Sequence, residues 1–218
     1  MVKQKFKFSK ILPVFITFIV MGFVDIVGVS TGYIQKDFNL SDTTAQFIPF
    51  MVFIWFFGFS IPVGILQDKI GKKRMMNIGL FITLIGLIIP FVYYSFSTIL
   101  VAFIAIGIGN TIIQVAANPL LLEVISKEKF SSILSFSQFI KAITSLLGPI
   151  IATFVAFKYG DWKWVFLVYA VVTFFSLVLL STTKIEERIK SEVPASFKSC
   201  MQLLNNKFII AMVIAIFL

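Results

Sequence analysis

Residues 44–94 read TAQFIPFMVFIWFFGFSIPVGILQDKIGKKRMMNIGLFITLIGLIIPFVYY, and this stretch decides the class of fold. It contains two apolar runs, residues 44–66 and 75–94, which are separated only by a short charged segment. A helix needs about 20 apolar residues to cross the hydrocarbon core of a bilayer, which is about 30 Å thick. Both runs reach this length, so the stretch predicts two transmembrane helices joined by a short basic connection.

Four more apolar runs of similar length lie at residues 11–33, 98–125, 130–157 and 164–182, and a seventh begins at Phe208 and reaches Leu218. Charged residues make up only 13% of the chain, whereas soluble domains carry about 25%. We therefore predict an all-α membrane protein with a six-helix transmembrane bundle at residues 1–182. A cytoplasmic linker is expected at residues 183–206, followed by the truncated start of a seventh helix at residues 207–218.

The positive charges of the chain are distributed unevenly between the two ends of these spans. Fifteen lysines and arginines lie before span 1, between spans 2 and 3, between spans 4 and 5, and after span 6, whereas three lie at the opposite ends. Because such residues remain on the cytoplasmic side, we expect a cytoplasmic amino terminus in a bacterial-type inner membrane. The net charge of +9 is then explained by topology and not by nucleic-acid binding. Trp162 and Trp164 fit an aromatic belt at the outer interface.

Several classes of chemistry lack the residues they need. The chain has no histidine, and Cys200 is its single cysteine. This composition argues against disulfides, Cys/His zinc sites and imidazole proton relays. We therefore expect neither an enzyme nor a bound metal or cofactor.

The connection between spans 2 and 3 carries a specific motif, residues 64–74, GILQDKIGKKR. It resembles the signature loop of the major facilitator superfamily, in which glycine, three residues, aspartate, a basic residue and a second glycine precede a basic triplet. The resemblance implies a charge network that latches the cytoplasmic side in the outward-open state. Its members here would be Gly64, Asp68, Lys69, Gly71, Lys72, Lys73 and Arg74. The alternative is an ordinary positively charged loop.

The fourth span contains residues 107–119, GIGNTIIQVAANP, which resemble the fucose permease branch of the same superfamily. That branch has a glutamate where this chain has neutral Gln114, and in the fifth span an asparagine where this chain has Lys141, three residues after Gln138. The resemblance implies that Gln114 and Gln138 face a solute cavity. The missing glutamate puts proton coupling at that position in doubt.

Asp25 and Lys141 are ionisable residues within predicted spans, where charges are costly and normally face a cavity or a partner. Their depths are similar, which permits an ion pair between spans 1 and 5. The pair is either a structural salt bridge or a coupling site in which Asp25 binds a proton and Lys141 releases it. Asn110, Gln114 and Gln138 could bind the hydroxyl groups of a sugar, or could instead hold helices together.

These features predict one half of a secondary-active importer that takes up a small polar solute, most simply a monosaccharide, by ion symport. The partners would be the solute, a coupling ion, the bilayer and a missing carboxy-terminal six-helix bundle. The exchange of Glu for Gln and Asn for Lys also admits a sugar acid or another small anion. A truncated, non-transporting half-bundle is a further alternative, and the chain is either a natural fragment or a partial record.

Overall fold

The computed structural model describes residues 8–187, 197, 202 and 205–217. The helices are α1 (Phe8–Gly22), α2 (Ile26–Asp37), α3 (Asp42–Ala45), α4 (Phe47–Ile70), α5 (Lys72–Val92), α6 (Phe96–Val124), α7 (Lys127–Tyr159), α8 (Trp164–Thr182) and α9 (Lys207–Phe217). Six spans are long and apolar enough to cross a membrane: Ser9–Asp37, Asp42–Ile70, Lys72–Val92, Phe96–Val124, Lys127–Tyr159 and Trp164–Thr182. The predicted all-α membrane fold is confirmed, with span ends shifted by a few residues. Most of the predicted linker at residues 183–206 lies outside the described residues.

Span 1 is not one continuous α-helix. A 3-10 turn at Phe23–Asp25 separates α1 from α2. Gly22 immediately precedes this turn, and a Cβ atom added there would lie 2.8 Å from both the Lys141 carbonyl oxygen and the Thr144 Cβ of α7. The missing side chain at Gly22 therefore lets spans 1 and 5 come into direct contact at the turn.

The core of the bundle is built around α6, which packs against α5, α4 and α1. Its residues Ile99, Phe103, Ile113 and Leu120 are completely buried. Close packing against α5 depends on glycine, because a Cβ on Gly109 would lie 2.7 Å from the nearest backbone carbonyl of α5. Close packing through small residues is a usual source of helix association in membranes, where burying apolar side chains gives no driving force of its own.

Two of the six spans are largely uncovered. Spans 2 and 5 are the least buried of the six, and they carry Phe57 and Phe157, each 91% exposed, and Leu146, 70% exposed. Both helices also supply polar residues between these large apolar ones. The uncovered surface of spans 2 and 5 is defined here as the open face.

The connection between spans 2 and 3 is shorter than the sequence suggests. The helix α4 continues to Ile70 and α5 starts at Lys72, so Gly71 is the only residue between them. Its φ is +99°, a backbone conformation that glycine adopts at no steric cost. Gly71 therefore makes a tight turn, which places most of the charged motif on the helix ends themselves.

Candidate functional site

Asp25 lies at the end of the 3-10 turn in span 1, and its side chain is exposed. Its Oδ2 accepts a hydrogen bond from the hydroxyl of Ser145 on α7. A cavity of about 420 Å³ adjoins Asp25, and its other polar side chains are Thr31 and Gln46. The carboxylate is therefore held by α7 while remaining open to a cavity between spans 1 and 2.

Lys141 does not form the predicted ion pair with Asp25. Its half-buried side chain instead donates from Nζ to Oε1 of Gln114 on α6, at 3.5 Å. Asp25 meets Ser145 instead of Lys141 because Gly22 of span 1 lies level with Lys141 and Thr144 of span 5. Asp25 is three residues further along span 1, and therefore reaches Ser145, about 6 Å beyond Lys141 on α7.

Two of the other predicted cavity residues lie close to these. Gln114 is half-buried and in contact with Lys141. Gln138 is exposed and lies one turn before Lys141 on α7. The structure thus gathers two polar pairs, Asp25 with Ser145 and Gln114 with Lys141, and adds Gln138 on the same helix.

Asn110 does not belong to this set, which corrects the prediction. It is 1% exposed, and in the described part of the chain neither of its amide atoms has a hydrogen-bond partner. The reason lies three residues earlier, at Gly107, where the backbone of α6 is pressed against Val52 of α4. This contact closes the α6 face that carries Asn110 and leaves its amide buried.

The basic residues of the motif form contacts within the bundle. Lys72 makes an ion pair with Glu123 at the end of α6, where the carboxylate is 7% exposed. The Nζ of Lys73 donates to the Ser181 carbonyl oxygen at 2.9 Å. Glu187 accepts from the backbone N–H groups of Lys72 and Lys73 at 2.7 and 2.9 Å. These contacts join the ends of spans 3, 4 and 6.

The remaining residues of the motif are not used in this way. Asp68 is half-buried and Lys69 and Arg74 are exposed, and within residues 8–187 none of the three forms an ion pair. No neighbouring helix of the described structure lies within 4 Å of a Cβ built on Gly64. Gly64 faces open space, and a partner for Asp68 stays a prediction.

The opposite end of the bundle is joined by a cluster that we call the Asp37 clamp, composed of Asp37, Tyr94 and Trp162. Asp37 Oδ2 accepts from Tyr94 Oη at 2.6 Å and from Trp162 Nε1 at 3.0 Å. Burial, and then the hydrogen bond to Asp37, raise the pKa of Tyr94 above its usual range. Trp162 is 5% exposed and stacks on Tyr33, so its predicted place in a lipid-facing belt is wrong. Trp164, which is 39% exposed, remains available to the interface.

Sequence reasoning did not identify Ser145, Glu123, Glu187 or Asp37. Ser145 could have been found, because residues four apart share one face of a helix and it follows Lys141 by four. The other three are acidic residues at span ends, where charges are common and partners cannot be read from spacing.

The chain resembles known proteins in sequence and in fold. A family model described as Major Facilitator Superfamily matches residues 14–218. The chain is 30% identical over 137 residues to a glucose/galactose transporter of Brucella abortus, covering 61% of this chain and 33% of that protein. It is 35% identical over 136 residues to protein spinster homolog 3 of Danio rerio, covering 60% of this chain and 27% of that protein.

Among solved structures, the chain is similar to a proton:xylose symporter, with a TM-score of 0.70 and 18% identity, over 83% of this chain and 45% of that one. At this identity the similarity concerns the fold alone. The chain spans about a third of the length of the curated relatives that it matches.

Proposed function

Because the chain belongs to the Major Facilitator Superfamily, we propose that it is the amino-terminal half of a secondary-active importer of a small polar solute. Superfamily members consist of two six-helix halves that hold the solute between them near the middle of the membrane. The simplest solute is a monosaccharide, taken up with a proton, and the glucose/galactose transporter among the relatives supports this choice. Membership also agrees with the prediction that the chain is not an enzyme.

One observation carries the proposal: polar side chains from three spans, two of them ionisable, lie beside one another at mid-span. Asp25 comes from span 1, Gln114 from span 4, and Lys141 with Ser145 from span 5. Neutral amides and hydroxyls suit the hydroxyl groups of a sugar, and charged groups inside a membrane usually mark a transport pathway. Asp25 is the proposed proton carrier, since Gln114 cannot titrate.

The second six-helix bundle is the proposed occupant of the open face. Large apolar side chains such as Phe57 and Leu146 are exposed on spans 2 and 5, and both spans flank the polar residues. Lipid could cover the apolar side chains but would leave Asp25 and Lys141 without a polar environment. A second bundle would close a polar cavity over them.

The motif at residues 64–74 is proposed to act at the cytoplasmic end of this interface. Lys72 and Lys73 hold the end of the bundle together, whereas Asp68, Lys69 and Arg74, which form no ion pair within residues 8–187, are proposed to contact the second bundle. On this proposal Asp68 is the acidic member of the latch, the amino terminus is cytoplasmic, and the protein resides in a bacterial-type inner membrane.

Uptake into vesicles tests the proposal. The full-length protein is reconstituted, and labelled fucose, glucose and galactose are offered with and without an inward proton gradient. We expect at least one sugar to accumulate only with the gradient, and Asp25→Asn to abolish accumulation while counterflow exchange continues. Accumulation that survives in Asp25→Asn would exclude Asp25 as the proton carrier.

Lys141 favours a second candidate, a sugar acid or another small anion. Its ammonium group contacts a neutral amide oxygen and not a carboxylate, so an anionic solute could supply the missing negative charge. Competition distinguishes the two candidates: a sugar acid should inhibit uptake more strongly than its parent sugar, and Lys141→Gln should remove that difference. Equal inhibition by both compounds would favour the neutral sugar.

A further inference from the structure

We infer that Ser145 is a positioning residue that keeps the Asp25 carboxylate apart from Lys141, so that both charges remain available during transport. This inference rests on the proposed role of Asp25 as the coupling residue. Ser145 is half-buried on α7 and donates its hydroxyl to Asp25 across the interface between spans 1 and 5. It is the hydrogen bond that the Asp25 carboxylate makes with α7 once the contact at Gly22 has set the two spans in register.

The two groups on α7 that could bind Asp25 lie one helical turn apart. Ser145 is four residues beyond Lys141, about 6 Å along the helix axis, and both project from the face that carries the contact with Gly22. A long lysine side chain can cover such a distance. The Asp25 carboxylate thus has an alternative partner within reach, and the hydroxyl of Ser145 competes with it.

No other cation is placed to compete for Asp25 in the described part of the chain. The cavity beside Asp25 is otherwise lined by uncharged residues of spans 1 and 2. Span 4 presents neutral Gln114 to this region, and the titratable group from span 6 is Tyr169, which stacks on Phe23 next to the turn. Lys141 is therefore the partner that Asp25 would take if the Ser145 hydroxyl were removed.

An ion pair between Asp25 and Lys141 would occupy both groups at once. Lys141 would leave Gln114, and Asp25 would turn away from the cavity that it now adjoins. A solute or a proton would then have to break a charge-assisted contact before it binds, which weakens apparent binding because only the unpaired fraction of the protein is competent. The hydroxyl at position 145 prevents this because it satisfies the carboxylate without neutralising it.

Solid-state NMR of the full-length protein in lipid tests the geometry without requiring transport. In wild type we expect no cross-peak between a lysine Nζ and the Asp25 carboxyl carbon at ion-pair range, about 4 Å. In Ser145→Ala the cross-peak should appear, and it should disappear again when Lys141→Gln is added. Ser145→Thr, which keeps the hydroxyl, should resemble wild type.

The matched control is Ser137→Ala. Ser137 lies on the same helix, and its hydroxyl donates within that helix to the Ile133 carbonyl oxygen at 2.8 Å, so its removal should leave the spectrum unchanged. In uptake assays, Ser145→Ala should raise KM about tenfold, equivalent to about 1.4 kcal/mol, with Vmax changed less than twofold. Ser145→Thr should restore most of that affinity.

The two proposals fail in different ways. If Ser145→Ala shows no Asp25–Lys141 cross-peak, or if the peak is already present in wild type, the inference about Ser145 is wrong whatever the protein transports. If the cross-peak appears as expected but no solute accumulates in wild-type vesicles, the proposed transport function is wrong and the positioning role of Ser145 stands.

Discussion

Neutralising Asp37 should loosen the end of the bundle opposite Gly71. In the Asp37 clamp one carboxylate oxygen accepts from both Tyr94 and Trp162, at 2.6 and 3.0 Å. Hydrogen bonds to a charged group contribute about 1.5–3 kcal/mol each, and neutral ones about 0.5–1.5. Asp37→Asn keeps the shape and an acceptor oxygen but removes the charge, so it should lose about 1 kcal/mol per bond. Because Asp37 is exposed, we expect a total of about 1–2 kcal/mol.

Asp37→Ala should cost more than Asp37→Asn. It removes the acceptor altogether and leaves the N–H group of Trp162, which is 5% exposed, without its partner inside the bundle. An unsatisfied buried donor costs about 1–3 kcal/mol. The expected order of stability is therefore wild type, then Asn, then Ala.

Equilibrium unfolding of the purified protein from mild detergent into SDS measures these differences, with tryptophan fluorescence as the signal. Lys36→Gln is the matched control, because it changes the neighbouring exposed charge and should move the free energy of unfolding by less than about 0.5 kcal/mol. A double-mutant cycle with Tyr94→Phe isolates one of the two bonds. Asp37→Asn and Asp37→Ala variants as stable as wild type would refute the reasoning, as would a cycle with no coupling energy.

Three further predictions concern stability. Because the pKa of Tyr94 is raised, the folded protein keeps a proton that the unfolded chain loses near pH 10. The free energy of unfolding should therefore fall above about pH 10, and it should fall less in Tyr94→Phe. SDS unfolding across pH 8–11 measures both. Gly109→Val should destabilise the bundle by about 1–3 kcal/mol through overpacking, whereas Gly58→Val, which meets open space, should change little; equal effects would contradict the packing described. Lys72→Met should lower stability by about 1–3 kcal/mol because it removes the cation paired with nearly buried Glu123. Glu123→Gln should lower stability less. Thermal unfolding that ranks the two variants in reverse would show that the pair is not stabilising.

The membrane fold could be predicted because it depends on length and hydrophobicity alone. A run such as residues 75–94 has to be a helix in lipid, where every backbone polar group must be satisfied within the segment. The turn at Gly71 was also predictable, since a glycine between two charged clusters suits a positive φ. Neither prediction requires knowledge of which side of a helix faces inward.

The candidate site was harder to predict for that reason. In α6 apolar residues occur on every side, so periodicity does not separate Asn110, which is buried, from Gln114, which reaches Lys141. The partner of Asp25 depended on the contact at Gly22, which sets spans 1 and 5 in register. A shift of one turn along α7 changes the predicted partner from Ser145 to Lys141, and spacing along the sequence is not accurate to one turn.

Cysteine accessibility tests the central claim, the position of the open polar face, most directly. Cys200 is the single cysteine of these 218 residues, so Cys200→Ser, with serine also replacing any cysteine of the second bundle, supplies a background in which Gln138→Cys and Asn110→Cys can each be studied alone. In membranes containing the full-length protein, a hydrophilic thiol reagent should modify Gln138→Cys, and the transported solute should slow this reaction, while Asn110→Cys stays unmodified. Rapid modification of Asn110→Cys together with an unreactive Gln138→Cys would contradict the account.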